Sequence, residues 1–360
     1  MTLRLIIIVP VLVIVIGGLA WYQMIRWAEA PVLYESDHSP SKIVVVPEGS
    51  TFQQVASLLE REQLIRSRSA FVLLAKASEA DRKILPGEYE LNAAMPPAHI
   101  LSKLLTGQVV LHSVTIPEGY TINQIADVMA KHQIADQAAF VRLAKDKSFV
   151  ETFEISADSL EGYLYPDTYR FARPTDEKDV IKAMVGQFDQ VMTEEWRARA
   201  KELHLTVHEV VTLASVIEKE TGTGDERPQI SSVFHNRLKK RIPLQSDPTV
   251  IYGLPNFDGN LRKKDLSHPT PYNTYRWAGL PPGPIASPGA ESIRAALYPA
   301  PSSYLYFVSK NDGTHQFSTT LVEHNKAVEK YQKQPYRRGN HSQTTGFPRK
   351  RTLPHKEGMS

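Results

Sequence analysis

The sequence predicts an α+β chain: an N-terminal transmembrane helix, a βα repeat region, and then a mixed α/β domain. Three observations carry this. Between Arg4 and Arg26 runs an uncharged stretch of 21 residues, "LIIIVPVLVIVIGGLAWYQMI". A strand–turn–helix pattern then occurs twice at an offset of 70 residues, as "VVVPEGSTFQQVASLL" (44–59) and "VTIPEGYTINQIADVM" (114–129). Beyond residue 176, helical periodicity gives way to a long Pro- and Tyr-rich segment and a hairpin pattern.

Residues 1–4 form a short basic N-terminus and 5–25 the predicted span. As a helix those residues measure roughly 32 Å, enough for a hydrocarbon core of about 30 Å. Trp21, Tyr22 and Trp27 fall where an interfacial aromatic belt would sit. Gly18-x-Ala20 also offers a signal-peptidase site, but the apolar run is long for a cleaved signal and favours a retained anchor. Either way the body lies outside the cytoplasm. Residues 26–41 hold a polar, Pro-containing linker.

In the repeat region, 42–155, each β-branched run ends in Pro-Glu-Gly and an amphipathic helix follows. Gly49 and Gly119 give the turn its freedom in φ. Thr51 with Gln54, and Thr121 with Gln124, fit a capping box at each helix start. "LPGEYEL" (85–91) and "LEGYLYPDTYRF" (160–171) are looser counterparts, each a strand carrying Tyr. The signature G-x-T-x-x-x-[IV]-A, at Gly49–Ala56 and again at Gly119–Ala126, resembles the LysM module, which implies contact with N-acetylglucosamine-containing glycan. A purely structural βα unit fits the same pattern.

The last folded region, 156–332, opens with a helix predicted over 177–203 and a second over 207–220. Residues 241–303 show little periodicity, as site-building loops do. "YLYFVS" and "THQFST" flank the turn "KNDG", and a helix over 321–331 closes the fold. From Tyr336, Arg337, Arg338, Arg349, Lys350, Arg351 and Lys356 face one acid, Glu357, so 333–360 reads as a solvated basic tail. The chain's net charge of +3 owes much to this tail, and the near-neutral body argues against nucleic acid. Cysteine is absent, consistent with an exported chain that needs no disulfide.

Within "ASVIEKET" (214–221) two acids stand two positions apart. The box of Thr206 with Glu209 sets the helix start. At about 100° per residue, Glu218 then falls roughly 20° from Val207, inside the stripe of Val207, Val210, Val211, Ala214 and Ile217. Glu220 falls roughly opposite, at about 220° and beside Glu209, where it can be an ordinary solvated residue. A carboxyl on an apolar face loses solvation, which favours the protonated form and suits it to donate a proton near neutral pH. A salt bridge to Arg227 or Arg237 is the other reading of Glu218.

The motifs A-S-V-I-E-K-E, V-F-H-N-R-L (233–238), P-L-Q-S-D-P-T (243–249) and Y-N-T-Y (272–275) followed by G-L-P-P-G-P-I (279–285) are long and specific. They closely resemble the YceG-like family of endolytic murein transglycosylases, over about 330 residues. The resemblance implies a catalytic domain at 156–332 and an inner-membrane, single-pass protein with a periplasmic body. The enzyme would cut nascent peptidoglycan at the MurNAc-β-1,4-GlcNAc bond, leaving 1,6-anhydroMurNAc ends and terminating strand elongation. It assigns the acid–base role to Glu218 and suggests association with class A penicillin-binding synthases. Gln245, Ser246, Asp247, Tyr272, Asn273 and Tyr275 are candidates for sugar contact, although Asp247-Pro248 also starts a turn and Asn273 also suits a loop-holding role. Asn236 and Arg237 are expected to brace the site. His235, His315 and His324 are too dispersed for a metal set, and no cofactor is expected. Other classes remain open: a wall-binding scaffold, a lysozyme-like hydrolase, and a cytosolic pyridoxal-phosphate lyase, against which the anchor argues.

Overall fold

The computed structural model describes residues 15–19, 22–24, 26–33, 40–77, 84–173, 175–221 and 224–333. Of the predicted span, 15–19 and 22–24 are helical, and the remainder lies outside the described residues. Among the described residues no helix is long and apolar enough to cross a membrane. The basic tail from 334 onward also lies outside them.

The chain divides into two compact units. The first comprises residues up to Ile116 together with Ile125–Val141 and Thr168–Ile181. Here β1 (Lys42–Val46), α1 (Phe52–Arg61), α2 (Arg68–Ala77), β2 (Gly87–Leu91) and α3 (Pro97–Thr106) follow in order. β1 and β2 pair antiparallel, from Lys42 opposite Leu91 to Val46 opposite Gly87. Period-2 alternation sends Val44 and Val46 inward with Tyr89 and Leu91, against Phe52, Val55, Leu59 and Phe71. Ile43 and Val45 are left on the open face. Both halves of the Thr51–Gln54 capping box form and start α1 where the sequence predicts. In the second copy, β3 (His112–Thr115) pairs antiparallel with β4 (Thr168–Phe171). β4 is the short strand within "LEGYLYPDTYRF"; residues 160–165 precede it as buried, non-strand chain. Between β3 and β4 the chain forms α4 (Ile122–Lys131), α5 (Gln137–Ala144) and α6 (Lys147–Glu151).

The second unit comprises Pro117–Gln124, Arg142–Asp167 and the chain from Lys182. The single helix predicted over 177–203 is two, α7 (Glu177–Val191) and α8 (Glu194–Glu202). Thr193 ends the first by capping the second, its hydroxyl accepting from the Trp196 N–H at 3.3 Å. α9 (Val207–Glu220) begins at the expected capping box, with Thr206 and Glu209 bonded reciprocally. Every residue from Val210 to Ile217 is buried, so the middle of this helix is enclosed on all sides rather than amphipathic, while its ends reach the surface. It packs on α10 (Arg227–Lys239), α11 (Asp247–Gly253) and, most extensively, α12 (Ala290–Leu297). The predicted hairpin forms as β5 (Tyr306–Ser309) and β6 (His315–Ser318), followed by α13 (Leu321–Val328) and a closing π turn, Glu329–Lys333.

Candidate active site

Glu218 emerges from the last turn of α9 with 9% of its side chain exposed. Its Oε1 lies 3.4 Å from Nη2 of Arg227, in the first turn of α10. Its Oε2 accepts from the Gly289 N–H at 3.1 Å, and Gly289 is the N-cap of α12. A helix N-terminus and a guanidinium therefore converge on one carboxyl group, an arrangement that compensates its desolvation. The two sequence readings of Glu218, an acid within an apolar stripe and an acid paired with Arg227, describe the same placement.

The segment 282–289 runs alongside α9 and sets this geometry. The Pro282 carbonyl lies 2.9 Å from Nε2 of His208, the Ile285 N–H donates to the Ser215 hydroxyl at 3.0 Å, and the segment ends in the Gly289 contact with Glu218. His208 is itself held at Nδ1, 2.9 Å from the Tyr163 hydroxyl. Gly162 meets the same segment at φ +84°, where a Cβ would come within 2.5 Å of Pro284 and 2.9 Å of Val211. Only glycine satisfies both the backbone and the spacing there.

The Pro-Glu-Gly turn of the second repeat copy abuts the same place. Gly119 N–H donates to the Ser287 carbonyl and Ser287 N–H to the Tyr120 carbonyl, each at 2.8 Å. Lys219 reaches the Gly119 carbonyl at 3.2 Å. Glu118 thereby comes within 3.7 Å of the Arg227 guanidinium. Burial pushes the Glu118 carboxyl above the usual range, as does the nearby Glu218 charge, while Arg227 opposes them. The sequence reading did not assign Glu118 a role. Its signal was the acid in the repeated Pro-Glu-Gly, but Glu48 occupies the equivalent position in the first copy and is exposed.

Glu220 departs from expectation. Rather than solvated, its carboxyl is desolvated between helices and accepts from the Ser246 hydroxyl at 2.6 Å. Burial pushes its pKa up to about 7; the Ser246 bond and Arg237 act downward and the Asp247 charge upward. On the wheel Glu220 falls opposite the apolar stripe, and that side meets Ser246 at the start of α11.

The candidate sugar contacts divide into groups. Asn273 is fully buried and donates its amide to the Leu266 and His268 carbonyls, at 3.0 and 2.8 Å, so the structure gives it to its own loop instead of a ligand. Ser246, 1% exposed, is committed to Glu220. Tyr275 donates to Asp247 at 2.6 Å, and burial raises the pKa of that phenol. Asp247 and Gln245 are exposed, the latter in a left-handed conformation at φ 51°. Tyr272 packs against Tyr252 with ring centroids 4.8 Å apart. Asn236 donates to the Ser302 and Tyr304 carbonyls, and Arg237 to those of Pro243, Leu244 and Leu305, tying α10 to the hairpin and to the 243–246 loop.

Tyr272 and His208 also line a cavity of about 540 Å³ with Glu151, Glu154, Asp158 and Glu161. Glu161, 5% exposed, accepts from the Ile122 N–H at 3.0 Å and the Tyr252 hydroxyl at 3.1 Å. Its burial pushes the pKa up to about 7, against those two bonds and the Lys145 charge. Glu218 is not on this wall. His208 and Glu218 sit on the same helix roughly 15 Å apart, so cavity and carboxyl occupy successive stretches along α9. Among the described residues no group of three or more His, Cys, Asp or Glu side chains is placed to hold a metal ion.

The site thus consists of a nearly buried carboxyl held by a backbone N–H and a guanidinium, with a polar cavity farther along the same helix. The chain belongs to the YceG-like family, whose model matches residues 44–330. It is 37% identical over 313 residues to an endolytic murein transglycosylase of Bacillus subtilis, covering 82% of this chain and 86% of that one. An endolytic murein transglycosylase of Streptococcus pneumoniae is 30% identical over 347 residues; 87% of this chain aligns, against 62% of that longer relative. The crystal structure of a YceG-like protein from Listeria monocytogenes matches with a TM-score of 0.57 and 36% identity, covering 79% of this chain and 98% of that one.

Proposed function

We propose that this protein is an endolytic lytic transglycosylase that cleaves peptidoglycan glycan strands at the MurNAc-β-1,4-GlcNAc bond, with Glu218 as its acid and base. The observation that carries the reading is the placement of Glu218: nearly buried, yet braced by a backbone N–H and an arginine. The Gly289 N–H holds Oε2 at 3.1 Å and Arg227 Nη2 lies 3.4 Å from Oε1, so the transferred proton uses a carboxyl lone pair that neither donor takes. Glu218 protonates the glycosidic oxygen as the bond to C1 breaks, and N-acetylglucosamine leaves. The carboxylate then takes the proton of the muramic acid C6 hydroxyl, whose oxygen attacks C1 and closes the 1,6-anhydro ring. The nucleophile comes from the substrate, so the reaction differs from the two-carboxylate scheme of ordinary glycosidases.

The finer parts of the proposal rest on sequence. The uncharged run at 5–25 supports a single-pass inner-membrane anchor with a periplasmic body. The paired Gly-x-Thr turns support glycan contact by the LysM-like repeats. Cutting nascent strands would terminate their elongation, and class A penicillin-binding synthases are the partners this role implies. Gln245, Asp247, Tyr272 and Tyr275 are the proposed sugar contacts.

One observation favours a wall-binding scaffold instead: both oxygens of Glu218 have donors, as a structural ion pair would. Glu218→Gln in the full-length, detergent-solubilised protein decides between them. The transglycosylase reading expects soluble glycan release to fall at least 100-fold while peptidoglycan pull-down persists. Unchanged release by the variant, or binding without release by the wild type, would remove Glu218 from catalysis.

A further inference from the structure

Arg227 poses a chemical problem for the reading of Glu218 as an acid. A guanidinium 3.4 Å from a carboxyl favours the anion, yet the first step needs that carboxyl protonated. Arg227 cannot turn aside, because its Nε donates to the Ser292 hydroxyl at 3.1 Å. The only other carboxylate paired with it among the described residues is Glu118, at 3.7 Å from the same Nη2.

We infer that Glu118 is a positioning residue for Glu218: by sharing the Arg227 guanidinium it keeps that cation from holding Glu218 permanently as an ion-paired carboxylate, and so lets Glu218 cycle between acid and base. The inference rests on the acid–base role of Glu218 proposed above.

Gly289 supplies an independent geometric argument. Its φ of −77° and ψ of 169° suit any residue, so the backbone does not require glycine. A Cβ there would nevertheless meet Glu118, at 1.9 Å from Oε1 and 2.1 Å from Cδ. The side chain absent at 289 is the space the Glu118 carboxyl occupies. Glycine at the N-cap of α12 therefore serves two acids at once, its N–H bonding Glu218 and its bare Cα admitting Glu118.

The other charged and titratable groups around Glu118 are accounted for. Lys219 of α9 is bonded to the Gly119 carbonyl, and Glu291 of α12 pairs with Arg294 at 3.6 Å. Tyr165 feels the Glu118 charge, and its burial raises its pKa. None of these is paired with Arg227, so among the described residues Glu118 is the acid that competes with Glu218 for that guanidinium. In the first repeat copy the equivalent Glu48 is exposed. One duplicated turn has thus become part of a catalytic centre in its second copy.

The test is the pH–rate profile of glycan release by the full-length protein, for wild type, Glu118→Gln, Gly289→Ala and Glu218→Gln. Removing the Glu118 charge leaves Arg227 acting on Glu218 alone. The alkaline limb of the profile then moves down by about 0.5–1 pH unit, a reduced effect because the Glu118 side chain is half exposed. On that limb the rate falls about three- to tenfold, with little change below it. Gly289→Ala pushes the carboxyl away without removing it and shifts the same limb in the same direction, and it carries the test should Glu118→Gln fail to fold. An unmoved alkaline limb, whether or not the overall rate drops, overturns the inference and makes Glu118 merely structural. The Glu218→Gln arm separates the two claims: activity retained there sinks the acid–base reading itself, and with it the role of Glu118.

Discussion

Replacing Glu161 with Gln changes how stability responds to pH, and the size follows from the site. Glu161 is 5% exposed, and burial raises its carboxyl from 4.5 to about 7. Between those values the fold holds a proton that the unfolded chain has released, so stability falls as the pH rises through that window and levels off above about 7. A rise of about 2.5 units, at 1.36 kcal/mol each, amounts to about 3 kcal/mol between pH 4 and pH 8. Gln has no charge to desolvate, and it can still accept from the Ile122 N–H while its amide donates to the Tyr252 oxygen. The variant should therefore gain on the wild type as pH rises, its relative stability improving by about 3 kcal/mol from pH 4 to pH 8. Urea unfolding of both proteins at a series of pH values reads this directly, since every other titrating group cancels in the difference. A difference that stays constant across the range would refute the reasoning, because Glu161 would then titrate alike in both states.

Two further substitutions test the framework around the site. Gly162→Ala forces a left-handed alanine and a Cβ 2.5 Å from Pro284, and should cost about 2–4 kcal/mol, seen as a lowered melting temperature with reduced glycan release. Arg237→Lys exchanges a fork that reaches three backbone carbonyls for a single point charge. It should cost about 1–3 kcal/mol by the same melting assay, with the hairpin amides losing hydrogen-exchange protection first.

The parts legible in the sequence were those governed by local rules. The capping boxes at Thr51 and Thr206 announced α1 and α9 because they are spelled within four residues. Once Thr206 sets the register, Glu218 must fall among the valines. Glu220 was misjudged because a wheel distinguishes faces but does not know what each face meets. The Ser246 that receives Glu220 lies 26 residues onward, across a tertiary contact. Asn273 had both readings open, and only the Leu266 and His268 carbonyls decide for the loop. Glu118 was hidden by the repeat itself, since two identical Pro-Glu-Gly turns carry no sign of which one meets an arginine. The break between α7 and α8 has a local signal: Thr193 followed by two glutamates is a helix start inside the 177–203 periodicity.

The central claim concerns how the glycosidic bond is cut, and the chemistry of the new chain end reports it most directly. Purified peptidoglycan would be digested with the full-length protein in detergent, and the released fragments analysed by mass spectrometry. The account requires internal fragments ending in 1,6-anhydroMurNAc, absent from a parallel digest with Glu218→Gln. Fragments ending in reducing MurNAc, heavier by one water, would make water the nucleophile and contradict the mechanism.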